Sequence, residues 1–165
     1  MTNRQRAPGS EDAATRPPAL SALLAGSGAL PPVALGLAAC LLRGAPRAAA
    51  ERAQLGWSAA LLCFFGGVRR GLSFRQQGGA SAGEIGTTLL LFMTGAAGLA
   101  LPGRRLPAST LAAGFGVATV LDWLGAREGE APRYFARLRP VQFPLIAASL
   151  LLPLSRRAQG PRSRN

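Results

Sequence analysis

Charged residues divide this sequence into five long stretches that contain no charge. The first follows Arg16 and runs for 26 residues to Leu42. A helix that rises 1.5 Å per residue needs about 20 residues to cross the roughly 30 Å of hydrocarbon in a bilayer. The first and third stretches are long enough, and the others can span if arginines at their ends extend apolar stems inward and charged groups outward. The later stretches are residues 53–68, 85–103, 106–121 and 140–155.

These stretches predict an all-α fold, a polytopic membrane helix bundle with about five transmembrane helices. A soluble helical domain would need charged residues every few positions on each exposed face, and the five stretches argue against it. Residues 1–18 are predicted to be a disordered polar tail and residues 156–165 a disordered basic tail, so the membrane domain covers residues 19–155. The predicted spans are residues 20–42, 55–74, 85–101, 106–124 and 141–155.

The basic residues are distributed as in a membrane protein. All 19 are arginines, the sequence has neither lysine nor histidine, and its net charge is +12. Such a charge can indicate nucleic-acid binding. Here the arginines lie in short clusters between the apolar stretches, as expected of loops that flank membrane spans. We therefore expect the lipid bilayer, and no nucleic acid, as a partner.

The residue types present argue against an enzyme. Without histidine there is no Ser-His-Asp or Cys-His pair, and without lysine there is no phosphate-binding loop of the usual kind. Cys40 and Cys63 are too few for a zinc or haem site, and we interpret them as small apolar residues of the core. A carboxylate-based hydrolase is conceivable, but no motif supports one. The sequence predicts no catalytic residue, no metal and no cofactor.

Arginine counting does not decide the orientation of the chain. With five spans, one end of the bundle, here called face A, carries the amino-terminal tail and the connections between spans two and three and between spans four and five. Face B is the opposite end. Face A then holds ten arginines and face B nine, a difference too small for the positive-inside rule. We expect a bacterial inner (plasma) membrane, with the mitochondrial inner membrane as the alternative, because Glu11 and Asp12 are unusual in a transit peptide.

Small residues and prolines within the spans predict helix packing. Gly67 and Gly71 have the G-x-x-x-G spacing that lets a second helix approach closely in lipid. That helix can belong to the same chain or to a second copy, and the oligomeric state stays open. Pro31 and Pro32 remove amide donors in the middle of the first span. They predict a kink that neighbouring helices stabilise, or a broken helix at a substrate site.

Four charged residues are predicted to form a polar cluster at face A. Spans two and four run in the same direction, so Arg69 and Asp122, which end their uncharged cores, meet the same face. Glu84 opens span three on that face, and Arg70 follows Arg69. A charge within a span is costly and usually has a partner, so we expect an Arg/Asp pair there.

Three motifs carry a resemblance to a known family. Residues 64–71 (FFGGVRRG) resemble the F-[LF]-G-G-[IV]-[HR]-W-G signature of the transmembrane protein 69-like family, also called domain of unknown function 3429. Residues 28–31 (GALP) are similar to its G-x-[IL]-P element, and Asp122 with residues 132–139 (PRYFARLR) to its D…P-x-W-Y-x-x-L-R segment. Arg70 stands where the signature has tryptophan. The resemblance implies a multi-pass membrane protein of bacteria or mitochondria with no established biochemical function.

Two functions from different classes remain open. The first is a structural or assembly factor that packs with other membrane proteins, which suits the small size and the glycine-rich helix faces. The second is a small transporter or channel-like subunit that uses the Arg/Asp cluster near one membrane face.

Overall fold

The computed structural model describes residues 19–73, 81–127 and 135–158 and gives them an all-α fold. No strand occurs in these ranges. The five helices are α1 (Ala19–Leu41), α2 (Gly44–Ser73), α3 (Ala82–Ala100), α4 (Arg105–Arg127) and α5 (Phe135–Ala158).

Two short connections reverse the chain at face B. Residues 42–43 join α1 to α2, and residues 101–104 join α3 to α4. Gly44 has a φ of 60° at the first reversal and Gly103 a φ of 73° at the second. Glycine enters this left-handed region without the steric cost that a Cβ adds. Each reversal therefore depends on a glycine and returns the next helix alongside the previous one.

The central helix of the bundle is α2, which contacts all four other helices. Around it, α1 packs against α5, α5 against α4, and α4 against α3. Side chains of α2 can therefore contact residues of each of the other four helices.

Aromatic and aliphatic side chains fill the middle of the bundle. The ring of Phe143 lies 4.7 Å from that of Phe65 and 5.7 Å from that of Phe115, centroid to centroid. These separations fall in the range of favourable tilted aromatic pairs. The other fully or almost fully buried large apolar side chains are Leu62, Leu91, Leu111, Ile146 and Leu150.

Glycines bring α3 close to its neighbours. A Cβ added to Gly95 would lie 2.8 Å from the carbonyl oxygen of Ala59 on α2. One added to Gly114 on α4 would lie 2.7 Å from Cγ2 of Thr94 on α3. Close backbone approach at small residues is the usual way in which helices pack in lipid.

The predicted packing pair, Gly67 and Gly71, faces outward instead. Both residues are exposed, and an added Cβ at either would meet no described atom within 4 Å. Close packing of this pair within the chain is therefore absent from the described residues. Gly66, one position before the pair, faces α3, where its added Cβ would lie 3.1 Å from the carbonyl oxygen of Thr88. The four-residue spacing of Gly67 and Gly71 thus does not mark the helix contact within the described residues, which lies at Gly66 instead.

Helix boundaries differ from the predicted spans where a helix continues beyond its apolar stretch. The second span was predicted to begin at residue 55, but α2 begins at Gly44, so Arg47 and Arg52 lie on a helix and not in a loop. Residues 156–158, predicted as part of a disordered tail, are the last turn of α5. Residues 1–18 and 159–165 lie outside the described residues. The end of an uncharged stretch marks a change of environment, which does not require the helix to end there.

Two helices satisfy a length and hydropathy test for membrane spans by themselves. They are Ala82–Ala100 and Arg105–Gly125, and a shorter apolar helix covers Ser27–Leu41. Such helices are weakly compatible with a membrane protein, because the core helix of a soluble protein passes the same test.

Candidate functional site: two buried ionic clusters

The first cluster joins α2 to α4 at face A. Nη1 of Arg69 donates a hydrogen bond to Oδ1 of Asp122 across 2.9 Å. The side chain of Asp122 is 6% exposed and that of Arg69 is 16% exposed. Nε of Arg69 is buried, and no acceptor for it occurs among the described residues. The structure thus brings together the two residues whose positions at the ends of the uncharged cores suggested a pair.

The other two residues predicted for this cluster are Arg70 on α2 and Glu84 on α3. Arg70 is partly buried. Glu84 closes the first turn of α3, where its Oε2 accepts from the amide of Ser81 at 2.7 Å. The Ser81 hydroxyl in turn accepts from the amide of Glu84 at 3.2 Å, which completes a capping box. The bonds described for Glu84 therefore serve the start of its own helix, a common arrangement for Ser-x-x-Glu.

A second cluster, which the sequence interpretation did not identify, lies at face B. Its acid is Glu51 on α2, which is 7% exposed. Oε1 of Glu51 accepts a hydrogen bond from Nε of Arg47 at 3.0 Å and lies 3.4 Å from Nε of Arg104. Arg104 immediately precedes α4, and its side chain is 8% exposed. One buried carboxylate thus joins the amino-terminal ends of α2 and α4.

Gln54 extends this cluster to two further helices. Its Oε1 accepts from Nη2 of Arg104 at 3.0 Å. Its Nε2 donates to the carbonyl oxygen of Ser149 on α5 at 2.9 Å and to that of Pro32 on α1 at 3.0 Å. Gln54 has no exposed surface. Gly36 leaves the space that this amide occupies, since an added Cβ would lie 2.5 Å from Nε2.

The contact with Ser149 satisfies a carbonyl group that a proline leaves open. In a helix the amide of residue i donates to the carbonyl of residue i−4, and proline has no such amide. Pro153 therefore frees the carbonyl of Ser149, and Gln54 supplies the missing donor. A buried carbonyl group that has lost its helical partner needs a substitute donor of this kind.

Pro32 frees a carbonyl in the same way, and α2 again supplies the donor. The freed group is the carbonyl of Gly28, which accepts from Nε1 of Trp57 at 3.1 Å. The described α1 continues through Pro31 and Pro32 without a break. The first span is thus a continuous helix supported by its neighbour, and the broken-helix alternative is wrong for this span.

The two clusters are related by a shared spacing. Glu51 and Arg69 are 18 residues apart on α2, and Arg104 and Asp122 are also 18 residues apart. At 3.6 residues per turn this is five full turns, or about 27 Å, so both charged residues of α2 lie on one face. Asp122 lies on the same side of α4 as Arg104, which immediately precedes that helix. The signs are reversed between the helices, acid then base on α2 and base then acid on α4. Parallel alignment pairs opposite charges at both ends, whereas an antiparallel alignment would oppose like charges.

An apolar layer separates the two clusters. On α2, the inward-facing residues between Glu51 and Arg69 include the polar Gln54 and Ser58, followed by the apolar Leu62 and Phe65. Leu62 and Phe65 belong to the buried aromatic and aliphatic core of the bundle. The described interior is therefore polar towards both ends and apolar between them.

The face B cluster was missed because Glu51 and Arg104 were assigned to loops. The sequence nevertheless carries a signal for it, because Glu51, Gln54 and Ser58 precede Leu62 at helical spacing of three and four residues. A helix extended towards the amino terminus from the uncharged stretch would have placed all of them on the inward face.

The described residues offer no group of three or more Cys, Asp and Glu side chains that could hold a metal ion. Cys40 and Cys63 are free thiols, and Sγ of Cys63 donates weakly to the carbonyl oxygen of Phe92 at 3.6 Å. The chemistry of the two clusters is thus that of guanidinium–carboxylate pairs and amide hydrogen bonds.

No curated protein and no solved structure matches this chain significantly. A family model does match, over residues 17–154, and its description is protein of unknown function (DUF3429). The match includes both ionic clusters and most of the five helices. The three sequence motifs had indicated the same family, and the chain belongs to the DUF3429 family of proteins of unknown function.

Proposed function

We propose that the chain is a multi-pass membrane protein whose five helices all cross the bilayer. The observation that carries this proposal is the inverted distribution of polar and apolar side chains. Glu51, Gln54 and Asp122 are buried. Large apolar side chains cover the outer surface of α1, α3, α4 and α5. They include Leu30 (67% exposed), Leu41 (78%), Met93 (60%), Leu99 (62%), Leu106 (57%) and Val141 (70%). In water this arrangement would be costly, whereas in lipid it is the expected one.

The charges of α2 are compatible with a span although they lower its mean hydropathy. Residues 53–68 carry no charge, and the ionic clusters at Glu51 and Arg69 lie about 27 Å apart along the helix. That distance is close to the roughly 30 Å thickness of the hydrocarbon core. The clusters thus fit the two boundaries of a membrane. The resemblance to the transmembrane protein 69-like family supports the same topology, in a bacterial plasma membrane or, as the alternative, a mitochondrial inner membrane.

We further propose that the protein has no enzymatic activity and serves as a structural or assembly factor, which packs with other membrane proteins. Residues 64–71, which resemble the family signature, contribute to both an inward and an outward surface of α2. Phe65, Gly66 and Arg69 face inward, while Phe64 and Gly67 are exposed on the other side of α2. In this proposal the inward half holds the bundle together, and the outward half receives a helix of a partner.

The transporter alternative has less support from the described interior. Both clusters are polar, but the layer around Leu62 and Phe143 between them is fully buried and apolar. Transport across the bundle would need this layer to open. A structural role needs only the arrangement that is described.

Two measurements test the membrane topology. In cells, the protein should remain in the pellet after alkaline carbonate extraction and should need detergent for release. Reporters fused at Met1 and Asn165 should lie on opposite sides of the membrane, because five spans are an odd number. Recovery in the carbonate supernatant would refute the proposal, and the same sidedness at both ends would refute the span count.

Site-specific crosslinking tests the partner role. A photo-crosslinking residue in place of Gly67 should capture a membrane protein in native membranes, whereas one in place of Met93 on the exposed face of α3 should not. Gly67→Leu should abolish the capture that a crosslinker at Phe64 gives, and should leave the stability of the purified bundle within about 0.5 kcal/mol, because the position is open. Equal capture from both helices, or only the chain itself, would contradict a specific partner.

A further inference from the structure

A group of exposed arginines lies at the same end of the bundle as the Glu51 cluster. We call this group the arginine belt, and its members are Arg43, Arg52, Arg105 and Arg156. Arg52 and Arg105 are each one residue from a member of the buried cluster, Glu51 and Arg104. Arg156 is three residues beyond Pro153, whose carbonyl oxygen lies 3.5 Å from Nη2 of Arg47. Arg43 lies in the short connection between α1 and α2. These contacts place the four arginines at one end of the bundle.

Carboxylates do not neutralise this belt. Glu51 is the acid of this end, and it is buried and bound to Arg47 and Arg104. In the described part of the chain, none of the four belt guanidinium groups is within ion-pair distance of a carboxylate. If all five helices cross the membrane, face B carries nine arginines and one acid, a net charge of +8, and face A ten arginines and six acids, a net charge of +4.

The belt also adjoins exposed apolar side chains. Leu41 is 78% exposed and Leu106 is 57% exposed, and each lies within two residues of a belt arginine. Leu152, four residues before Arg156, is 37% exposed. Cations next to exposed aliphatic groups match a lipid molecule, in which a charged headgroup lies beside acyl chains.

We infer that the arginine belt binds anionic phospholipid headgroups. This inference rests on the proposed membrane topology and adds to it a lipid preference confined to face B. A guanidinium group forms two parallel hydrogen bonds to phosphate oxygens, and each arginine close to an anionic membrane surface strengthens binding about fivefold. The exposed position of the belt keeps it separate from the ion pairs that hold the helices together.

The two tryptophans allow each end to be measured separately. Trp57 is 45% exposed and lies five residues from Arg52 on α2. Trp123, 44% exposed, lies beside Asp122 near face A. A Trp123→Phe variant therefore reports on lipid near the belt, and a Trp57→Phe variant on lipid near face A. The Trp57→Phe variant loses the donor to the Gly28 carbonyl, so its helix content and unfolding free energy are first compared with those of the unaltered protein. The purified protein is reconstituted in vesicles of phosphatidylcholine and phosphatidylglycerol, and one lipid at a time carries brominated acyl chains, which quench tryptophan fluorescence.

At Trp57 we expect phosphatidylglycerol to bind about fivefold more strongly than phosphatidylcholine, and at Trp123 the two lipids to bind within about twofold of each other. Replacing Arg52, Arg105 and Arg156 together by glutamine should bring the ratio at Trp57 close to one. Replacing Arg4, Arg6 and Arg16 by glutamine removes the same charge from the other end and should leave the ratio at Trp57 unchanged. Lysine at the three belt positions should retain part of the preference.

Each contrary outcome has a distinct meaning. A ratio near one at Trp57, or an equal preference at both tryptophans, overturns the belt as a headgroup site. Loss of the preference on addition of inorganic phosphate, but not of sodium chloride at the same ionic strength, overturns it in favour of a free-phosphate site. Quenching by neither brominated lipid shows that the helices do not contact acyl chains, and it refutes the proposed membrane topology itself.

Discussion

The two ionic clusters join the same pair of helices at opposite ends, yet they are built differently. At face A the described contacts centre on one pair, Arg69 and Asp122, and Nε of Arg69 is buried without an acceptor. At face B, Glu51 accepts a hydrogen bond from Arg47 and forms an ion pair with Arg104, and Gln54 links the cluster to α1 and α5. Nε of Arg104 is likewise buried without a hydrogen-bond acceptor among the described residues. The described contacts of the Arg69–Asp122 pair thus join two helices, whereas those of the face B cluster join four and also satisfy a carbonyl group that a proline frees. The face B cluster should therefore contribute more to stability, although both ends follow the same 18-residue spacing.

The largest effect is expected from removal of the shared carboxylate. Glu51→Gln leaves Arg104 buried without its acid, and breaking a buried pair from one side typically costs about 3–5 kcal/mol. The free energy of unfolding by dodecyl sulfate in mixed micelles measures this loss. Glu84→Gln is the matched control, because Glu84 serves an exposed helix cap in which glutamine can take its place, and a loss of about 0.3–1 kcal/mol is expected from the lost charge. Equal losses for both variants would contradict the central role of Glu51.

A smaller loss is expected at face A. Asp122→Asn should cost about 2–3 kcal/mol, because Arg69 is 16% exposed and its long side chain can extend towards the membrane surface. Adding Arg69→Gln should recover part of this loss, with a coupling energy of about 1–3 kcal/mol in a double-mutant cycle. If the double variant loses the sum of the two single losses, the pair does not couple and the comparison between the clusters fails.

The network can be tested through the proline that it supports. Gln54→Leu removes the donor to the carbonyl of Ser149 and should cost about 1–3 kcal/mol. In a Pro153→Ala background the amide of residue 153 can bond to that carbonyl, so the same substitution should cost about 1 kcal/mol less. The unfolding free energies of the four proteins give this difference. The same cost in both backgrounds would mean that Gln54 acts through its contacts with Arg104 and the Pro32 carbonyl, and not through the carbonyl of Ser149.

The smallest effect is expected at the edge of the network. Arg47 has a side chain that is 25% exposed, against 8% for Arg104, and it pairs with Glu51 across one helical turn. Arg47→Gln should cost about 0.5 kcal/mol, and 1 M salt should reduce this cost further because exposed pairs are screened. Arg104→Gln is the comparison. If Arg47→Gln lowers the free energy of unfolding as much as Arg104→Gln does, side-chain exposure does not determine how much each arginine contributes to the cluster.

The sequence by itself indicated the helical class, five helices in the described part of the chain, and an Arg/Asp pair between α2 and Asp122, while it left open which of Arg69 and Arg70 takes part. Each follows from the spacing of charged residues along one chain, because uncharged stretches of helical length leave little choice of structure. The 18-residue separation of Arg69 from Glu51 is likewise a property of the sequence, although its meaning depends on which residues are helical.

Only the tertiary structure decided which face of each helix is inside. Gly66 and Gly67 are neighbours with the same residue type, but one packs against α3 and the other is exposed. Likewise, nothing local to Gln54 indicates that it supplies a donor to a carbonyl 95 residues away. Such contacts depend on how a helix is rotated against its neighbours. The rotation of each helix depends on its contacts with all of its neighbours, so it cannot be inferred from any single segment of the sequence.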